Sequence, residues 1–303
     1  MSFTLHILPG ALYTRRVLIY LAEKNLLQSL FLKISPPLPN VSAVHSTSHP
    51  SVLTTQPTAA KPKGSLPALT TPDGTTIHDS ISIISYFEDL CDECENPSIH
   101  LESSTPNFPE ANPSMRGQTI EEQARNAEII TLVDEATTLF ERAARHGSAM
   151  FVLLQRQDIT SSRIALQACR GVLAKVDGCY SHSLGLEGVE GGEDCGGVDG
   201  TATIADCLLF SLLEFAREMY GIDLVTGMEG LQRFQRAFGK RESVQVEGEQ
   251  VWDGNLTKLA SYWVKETDGI SEWATERGKV GGLYLRALGS MALTALKRTA
   301  GLA

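Results

Sequence analysis

This sequence of 303 residues lacks several features that identify common classes of protein. No apolar run reaches the ~18 residues that a membrane-spanning helix needs. Lys and Arg form no dense cluster, and the formal net charge is −10, whereas nucleic acid binds to basic surfaces. We therefore expect neither nucleic acid nor the membrane as a partner.

Cysteine is also sparse, with six residues spread between positions 91 and 207. A disulfide-stabilised fold would need a denser framework, so a reducing compartment is the simplest interpretation. The first ten residues, MSFTLHILPG, lack the basic start and the longer apolar stretch of a secretory signal. Together these absences predict a cytoplasmic protein.

Two short patterns look like reactive or metal-binding sites, but their surroundings do not favour that chemistry. Cys91 and Cys94 form a CxxC pattern among acidic residues, which raise the pKa of a thiol and disfavour redox chemistry. We interpret this pattern as a helix end. His45 and His49 stand four residues apart in a Ser/Pro-rich stretch without a neighbouring carboxylate or Cys, so we predict no metal site.

The most informative stretch covers residues 61–90, KPKGSLPALTTPDGTTIHDSISIISYFEDL. Pro67 interrupts an apolar run that otherwise resembles a strand, which places it at a strand start or a turn, where cis bonds occur. Pro72-Asp73-Gly74 predicts a turn, and Thr75–Ile77 predicts a short strand. Asp79-Ser80 then predicts a helix N-cap. This order of elements would form a compact anion-binding corner.

The N-terminal residues predict a strand followed by a helix. Phe3–Leu8 alternates apolar and polar residues, Pro9-Gly10 ends the strand, and Tyr13–Lys24 has the spacing of a helix with one buried side. Leu30–Ile34 predicts a second strand. Because the helix begins directly after the turn, its free amides and its dipole can stabilise an anion there.

The remainder of the chain is predominantly helical. Thr119–His146 carries apolar residues at spacings of three and four, and Ser161–Tyr180 predicts another helix. Thr203-x-x-Asp206 predicts a capping box before a buried helix. Residues 184–200 contain seven glycines and five carboxylates, which predicts a flexible loop.

Taken together, these elements resemble the cytosolic glutathione S-transferase family. In that family a strand containing proline, alanine and leucine leads through a hairpin to an acidic-serine pair, and Leu66–Leu69 and Asp79-Ser80 match this signature. Tyr13–Val17 is similar to the segment after the catalytic residue of serine-type members (theta-, zeta- and omega-like). Thr203–Asp206 and Leu231–Val244 are similar to two structural segments of the family.

The resemblance implies an α/β plus all-α fold, with an N-terminal thioredoxin-like domain followed by a C-terminal all-helical domain. We place the first domain at residues 1–92, a linker at 93–118, the helical domain at 119–250 and a helical extension at 251–303. Within the extension, Lys279–Thr299 has the pattern of an amphipathic helix. We expect it to fold back over the protein, as a lid on the substrate pocket, with a membrane-surface anchor as the alternative.

The family's binding residues imply roles for the matching positions in this sequence. Asp79 and Ser80 would hold the γ-glutamyl end of glutathione. The backbone of Leu66, beside a cis Pro67, would bind the cysteinyl amide.

The glycyl carboxylate of glutathione would meet Lys61 or Lys63, with solvated loop lysines as the alternative for both. The resemblance further implies a homodimer that acts on a hydrophobic, electrophilic small molecule. The reaction would be conjugation or glutathione-dependent isomerisation, in detoxification or secondary metabolism.

The sequence departs from the family at the catalytic position, where Ala11 stands in place of the reactive Ser or Cys. Alanine has neither a donor nor a nucleophile, so Tyr13 or Thr14 would have to supply a hydroxyl to the thiolate. The alternatives are a helix cap for Thr14 and an apolar pocket wall for Tyr13. Ala11 also leaves open a non-catalytic glutathione-binding or scaffold protein, or a biosynthetic enzyme that uses the pocket without glutathione.

Overall fold

The computed structural model of the chain describes residues 2–35, 62–95, 108, 110–152, 154–182, 202–245, 254–263, 281–283 and 285–286. Within these residues, no helix has both the length and the apolar character needed to cross a membrane. Several positions discussed above lie outside the described residues: Lys61, His45, His49, the glycine-rich residues 184–200 and most of Lys279–Thr299.

Four short strands form a single mixed sheet in the order β2-β1-β3-β4. They are β1 (Phe3–His6), β2 (Leu32–Ser35), β3 (Ala68–Thr70) and β4 (Thr76–His78). β1 is parallel to β2 and antiparallel to β3, which is antiparallel to β4. All four predicted strands are present, although β1 ends two residues earlier than the alternation suggested.

Helices α1 (Leu12–Glu23) and α2 (Ser80–Glu95) complete this part of the chain. The order is strand, helix, strand, then strand, strand, helix, which is the thioredoxin-like arrangement predicted from the sequence. In α1 the apolar residues Val17, Leu18 and Leu21 are fully buried, as their helical spacing predicts. α2 continues past Cys91 and Cys94, so the CxxC pattern is a helix end.

Helices make up the rest of the described chain, which confirms the predicted fold class. They are α3 (Ile120–Gly147), α4 (Ile159–His182), α5 (Ile204–Tyr220), α6 (Glu229–Phe238) and α7 (Gly254–Ala260), with 3₁₀ turns at Ala149–Phe151 and Glu242–Val244.

The predicted capping box opens α5. The Asp206 carboxylate accepts hydrogen bonds from the Thr203 amide and hydroxyl, both at 2.8 Å, and the Asp206 amide donates to the Thr203 hydroxyl at 3.3 Å. Thr119 and Glu122 form a similar reciprocal pair at the start of α3. Such pairs satisfy amides that the helix itself leaves without acceptors.

The chain forms two compact units, one of residues 1–130, 189–211 and 234–251 and the other of residues 131–188, 212–233 and 252–303. The division passes through α3, α5 and α6, so it does not follow domain boundaries along the sequence. The domain boundaries given above stay a prediction.

In the first unit, residues near its C-terminal end bind α1. Arg241 donates to both oxygens of the Glu23 carboxylate, from Nε at 2.6 Å and from Nη2 at 2.8 Å, and the Ser243 hydroxyl donates to the same carboxylate. The buried Arg15 guanidinium donates to the Val244 carbonyl at 2.6 Å. These contacts fix both ends of α1.

In the second unit, Trp263 of the C-terminal extension packs against the end of α5. The Trp263 indole donates from Nε1 to the Tyr220 carbonyl at 3.0 Å, and the two rings meet edge to face. Gly147 permits this approach, because a Cβ there would lie 2.5 Å from the Trp263 ring.

Candidate functional site

The start of α2 is capped by Asp79, as the sequence predicts. Its Oδ2 atom accepts hydrogen bonds from the Ser82 amide at 3.0 Å and the Ser82 hydroxyl at 3.1 Å. Asp79 has a φ of +75°, a conformation that costs free energy for a residue other than glycine and recurs at ligand sites. The carboxylate is exposed to solvent.

The next residue, Ser80, is completely buried, yet its hydroxyl has no hydrogen-bond partner among the described residues. A buried hydroxyl without a partner costs about 1–3 kcal/mol. Native proteins pair nearly all such groups. The Ser80 hydroxyl is therefore suited to a polar group of a ligand at the N-terminus of α2, where the helix dipole favours an anion.

The loop at residues 62–66 leads to β3 through a cis peptide bond between Leu66 and Pro67, which confirms the isomer expected for Pro67. Leu66 is half-buried and Lys63 is exposed. Neither the amide nor the carbonyl of Leu66 is paired with a described residue. The Leu66 backbone therefore has no partner among the described residues, and its role in binding stays a prediction.

A contact between Gly64 and His78 was not found from the sequence. The His78 ring lies against the Gly64 backbone, since a Cβ built on Gly64 would stand 2.7 Å from His78 Cε1. The Nδ1 atom of His78 lies 3.0 Å from the Ser65 carbonyl oxygen. The sequence shows a glycine near the proline and a histidine before Asp79, but no local pattern pairs them.

The turn between β1 and α1 carries the residues proposed for catalysis. Ala11 is the N-cap of α1, and no side chain caps this end. Thr14 is fully buried, and its hydroxyl oxygen accepts a hydrogen bond from the Leu8 amide at 3.2 Å. Tyr13 is half-buried, and the guanidinium carbon of Arg16 lies 5.0 Å from the centre of its ring. Thr14 thus supports the turn, while Tyr13 keeps partial access to solvent.

His6 ends β1 near this turn and is buried. Its Nε2 atom lies 3.2 Å from the Thr70 hydroxyl on β3. Burial lowers the pKa of His6 below its ordinary value of 6.5, because the charged imidazolium loses its hydration. His6 therefore favours the neutral form and supplies no positive charge to the site.

A buried ionic cluster on α2 lies two turns after Ser80. The Glu88 carboxylate accepts from the Tyr20 hydroxyl at 2.9 Å and pairs with the Lys24 ammonium at 3.2 Å. Its second oxygen accepts from the Ser114 hydroxyl at 3.0 Å and the Met115 amide at 3.1 Å. Burial and the nearby Glu88 charge raise the pKa of Tyr20 well above 10. Every oxygen of Glu88 is used within the fold, so this cluster is structural.

The buried thiols do not suggest a reactive centre. Burial raises the pKa of Cys169 to about 12 and that of Cys207 well above 9, so both stay protonated at neutral pH. In the described part of the chain, no group of His, Cys, Asp or Glu residues could hold a metal ion.

Comparisons with known proteins agree with this geometry. Residues 12–90 match the family model described as "Glutathione S-transferase, N-terminal domain". The matched range contains every described candidate binding residue and begins immediately after Ala11. No curated protein matches this chain significantly.

Three solved structures illustrate the likeness of the fold. A glutathione S-transferase from Methylobacillus flagellatus KT with glutathione bound has a TM-score of 0.51 at 18% identity, covering 80% of this chain and 98% of that chain. Glutathione transferase F7 from Populus trichocarpa has a TM-score of 0.53 at 17% identity, covering 80% of this chain and 96% of that chain. Glutathione transferase Omega 3C from Trametes versicolor has a TM-score of 0.50 at 15% identity, covering 97% of this chain and 93% of that chain.

These similarities place the chain in a fold class. The overall fold is shared with these solved glutathione transferases, and sequence identities of 15–18% support a likeness of the fold alone. The protein therefore has a glutathione transferase fold, with an N-terminal region that matches that family's first domain.

Proposed function

We propose that this protein is a glutathione transferase-like enzyme that acts on a hydrophobic, electrophilic small molecule. The observation that carries the proposal is the Ser80 hydroxyl, which is buried without a partner among the described residues at the N-terminus of α2. Asp79 stands beside it. A carboxylate beside a hydroxyl and helix amides fits the amino and carboxylate groups of a γ-glutamyl moiety.

The remaining binding groups lie on the loop before β3. The backbone of Leu66, next to Pro67, has no partner among the described residues and is assigned to the cysteinyl amide of glutathione. Lys63 is exposed and is assigned to the glycyl carboxylate, a role that it would share with Lys61. One solved relative of the fold has glutathione bound and another has S-(propanoic acid)-glutathione bound, which supports this choice of cosubstrate.

Tyr13 is our preferred hydroxyl donor to the glutathione thiolate. The Leu8 amide donates to the Thr14 oxygen and holds this side chain in the turn, so Thr14 is the weaker of the two catalytic candidates. A thiol keeps a pKa near 8.5 unless its anion is stabilised. The α1 N-terminus supplies roughly 0.3–1 kcal/mol of that stabilisation, and a charge-assisted hydrogen bond from Tyr13 would add about 1.5–3 kcal/mol.

The chemistry that glutathione would supply is a nucleophilic sulfur, used in conjugation or in isomerisation of the substrate. We further propose a cytoplasmic homodimer of the serine-type (theta-, zeta- or omega-like) subgroup, with a role in detoxification or secondary metabolism.

A second candidate function is glutathione binding without catalysis, as in a scaffold protein. Ala11 favours it, because the N-cap of α1 offers no side-chain donor. Tyr13→Phe separates the two: conjugation activity that depends on the Tyr13 hydroxyl supports the enzyme. A wild-type protein that binds glutathione but converts no electrophile supports the binding protein.

The binding site is tested by calorimetric titration of glutathione into matched variants. Ser80→Ala should weaken binding by about 1–3 kcal/mol, and Asp79→Ala by about 1.5–3 kcal/mol. Ser85→Ala, on the same helix and outside the proposed site, is the control and should bind as the wild type does. A wild-type protein that does not bind millimolar glutathione would refute the site and would favour a biosynthetic enzyme that does not use glutathione.

A further inference from the structure

The loop at residues 62–66 is held in place by β4 through His78. The Nδ1 atom of His78 lies 3.0 Å from the Ser65 carbonyl oxygen. Among the described residues, no other hydrogen bond joins residues 62–66 to the remainder of the protein. His78 pairs in register with Ala68 on β3, so its own backbone is fixed by the sheet.

The contact with Gly64 adds a steric constraint to this hydrogen bond. Gly64 has a φ of +125°, which is accessible to glycine and not to other residues without strain. A Cβ at this position would stand 2.7 Å from Cε1 and 3.1 Å from both ring nitrogens of His78. The ring therefore lies directly over the Gly64 backbone, and both residues are required for this approach.

We infer that His78 is a positioning residue that sets the affinity of the protein for the cysteinyl-glycine half of glutathione. This inference rests on the proposed function, in which Lys63 and the Leu66 backbone contact that half. His78 is the residue immediately before Asp79, so it joins the γ-glutamyl end of the site to the loop that binds the other end. Without His78, the loop would have to be ordered by the ligand, which weakens binding.

The hydrogen bond determines that the Nδ1 atom of His78 carries a proton. This donor suggests matched variants that remove or replace it. Because a carbonyl oxygen can only accept, Nδ1 carries the proton. The amide nitrogen of Asn can take the place of Nδ1–H, whereas Phe keeps a ring over Gly64 and has no donor. His78→Phe therefore removes the hydrogen bond, and His78→Asn restores it.

The first test measures the loop without any ligand. In His78→Phe, the backbone NMR order parameters at residues 63–66 should fall from values near 0.85 to below about 0.6, while His78→Asn should keep them close to the wild type. Unchanged order parameters in His78→Phe would overturn the inference, whether or not the protein binds glutathione.

The second test measures affinity for glutathione. His78→Phe should raise the Kd about 5- to 10-fold, the effect of losing one hydrogen bond, and His78→Asn should stay within about twofold of the wild type. If His78 acts through the loop, its effect should be non-additive with Lys63→Met and additive with Ser80→Ala. Additivity with Lys63→Met, or no recovery in His78→Asn, would overturn the inference.

A pair of glycine variants tests the steric contact independently. Gly64→Ala introduces both backbone strain and a clash with His78. Gly74→Ala in the β3–β4 turn introduces strain at a φ of +90° with no neighbour within 4 Å. Gly64→Ala should raise the Kd at least 10-fold above that of Gly74→Ala. Equal Kd values would show that the contact with His78 has no role in binding.

The order parameters and the Kd values together distinguish a failure of this inference from a failure of the proposed function. A wild-type protein that does not bind glutathione would refute the proposed function, and the order parameters would still decide whether His78 holds the loop. A wild-type protein that binds glutathione with a Kd indifferent to His78 would leave the proposed function intact and refute the positioning role.

Discussion

Helix α2 buries two polar side chains that differ in how the fold treats them. Glu88 and Ser80 are eight residues apart, about 12 Å along the helix, and both are fully buried. The Glu88 carboxylate has four partners: Tyr20, Lys24, Ser114 and Met115. The Ser80 hydroxyl has none among the described residues.

The difference in the number of partners indicates that the two buried polar groups have different roles. A charged carboxylate without partners would cost many kcal/mol in the interior, so Glu88 can persist only because the fold surrounds it with donors. A single neutral hydroxyl costs far less, which a stable protein can tolerate. Glu88 therefore serves the fold, whereas the Ser80 hydroxyl has no role in the fold among the described residues and is left for the proposed ligand.

The largest effect is expected for Glu88→Ala. The substitution leaves the Lys24 ammonium buried without its counter-charge, which should cost about 3–5 kcal/mol of the free energy of unfolding. The measurement is urea denaturation followed by circular dichroism. The control is Asp89→Ala, the neighbouring carboxylate, which pairs with Arg116 at the surface and should cost at most about 1 kcal/mol. A loss for Glu88→Ala as small as that for Asp89→Ala would contradict the structural role.

The next effect concerns the start of α1, where Ala11 lacks the donor that a serine would provide. Ala11→Ser should add a hydrogen bond to the bound thiolate, worth about 1.5–3 kcal/mol, and raise kcat/KM for chloronitrobenzene electrophiles by roughly 10- to 150-fold. The wild type should be weakly active by comparison. Strong wild-type conjugation that survives both Tyr13→Phe and Thr14→Val would show that no hydroxyl in this turn is needed.

Ser80→Ala tests the other half of the comparison between Glu88 and Ser80. The quantity measured is the stability of the protein without glutathione. Because the hydroxyl has no partner to lose, the variant should be as stable as the wild type or more stable by up to about 1 kcal/mol. Urea denaturation without glutathione is the measurement. A loss of more than about 1 kcal/mol would mean that Ser80 contributes to the fold and would weaken its assignment to a ligand.

His6 is intermediate between Glu88 and Ser80 in the number of its hydrogen-bond partners. It is a buried imidazole with one described partner, Thr70. Its pKa is lowered in the folded protein, so below pH 6.5 the unfolded chain binds more protons than the folded one. Stability should therefore decrease as the pH falls through and below 6.5, by at most about 1.4 kcal/mol per pH unit from this residue. His6→Gln should flatten the stability profile between pH 6.5 and 5, and an identical profile in both proteins would contradict the shift.

The sequence predicted the parts of the site that depend on local chemistry. The Asp79 cap and the Thr203–Asp206 box each follow from residues within a few positions of one another, where hydrogen-bond geometry leaves little choice. The predicted helices and strands agree with the structure for the same reason. The cis form of Pro67 was expected from the family resemblance.

Long-range contacts could not be predicted in this way. The partners of Glu88 at positions 114 and 115 are separated from it by more than twenty residues, and nothing in the local pattern identifies them. The contact of His78 with Gly64 depends on the register of β3 and β4. The burial of Ser80 depends on packing around α2, so its missing partner is visible only in the folded structure.

The binding of α1 by residues 241–244 has a consequence for synthesis of the chain on the ribosome. Glu23 and Arg15 are translated before their partners Arg241, Ser243 and Val244, which emerge more than two hundred residues later. The first unit therefore cannot acquire all its native contacts until residues 241–244 have left the exit tunnel. A chain that terminates before residue 241 would lack the partners of both ends of α1 and would expose those ends to chaperones and proteases.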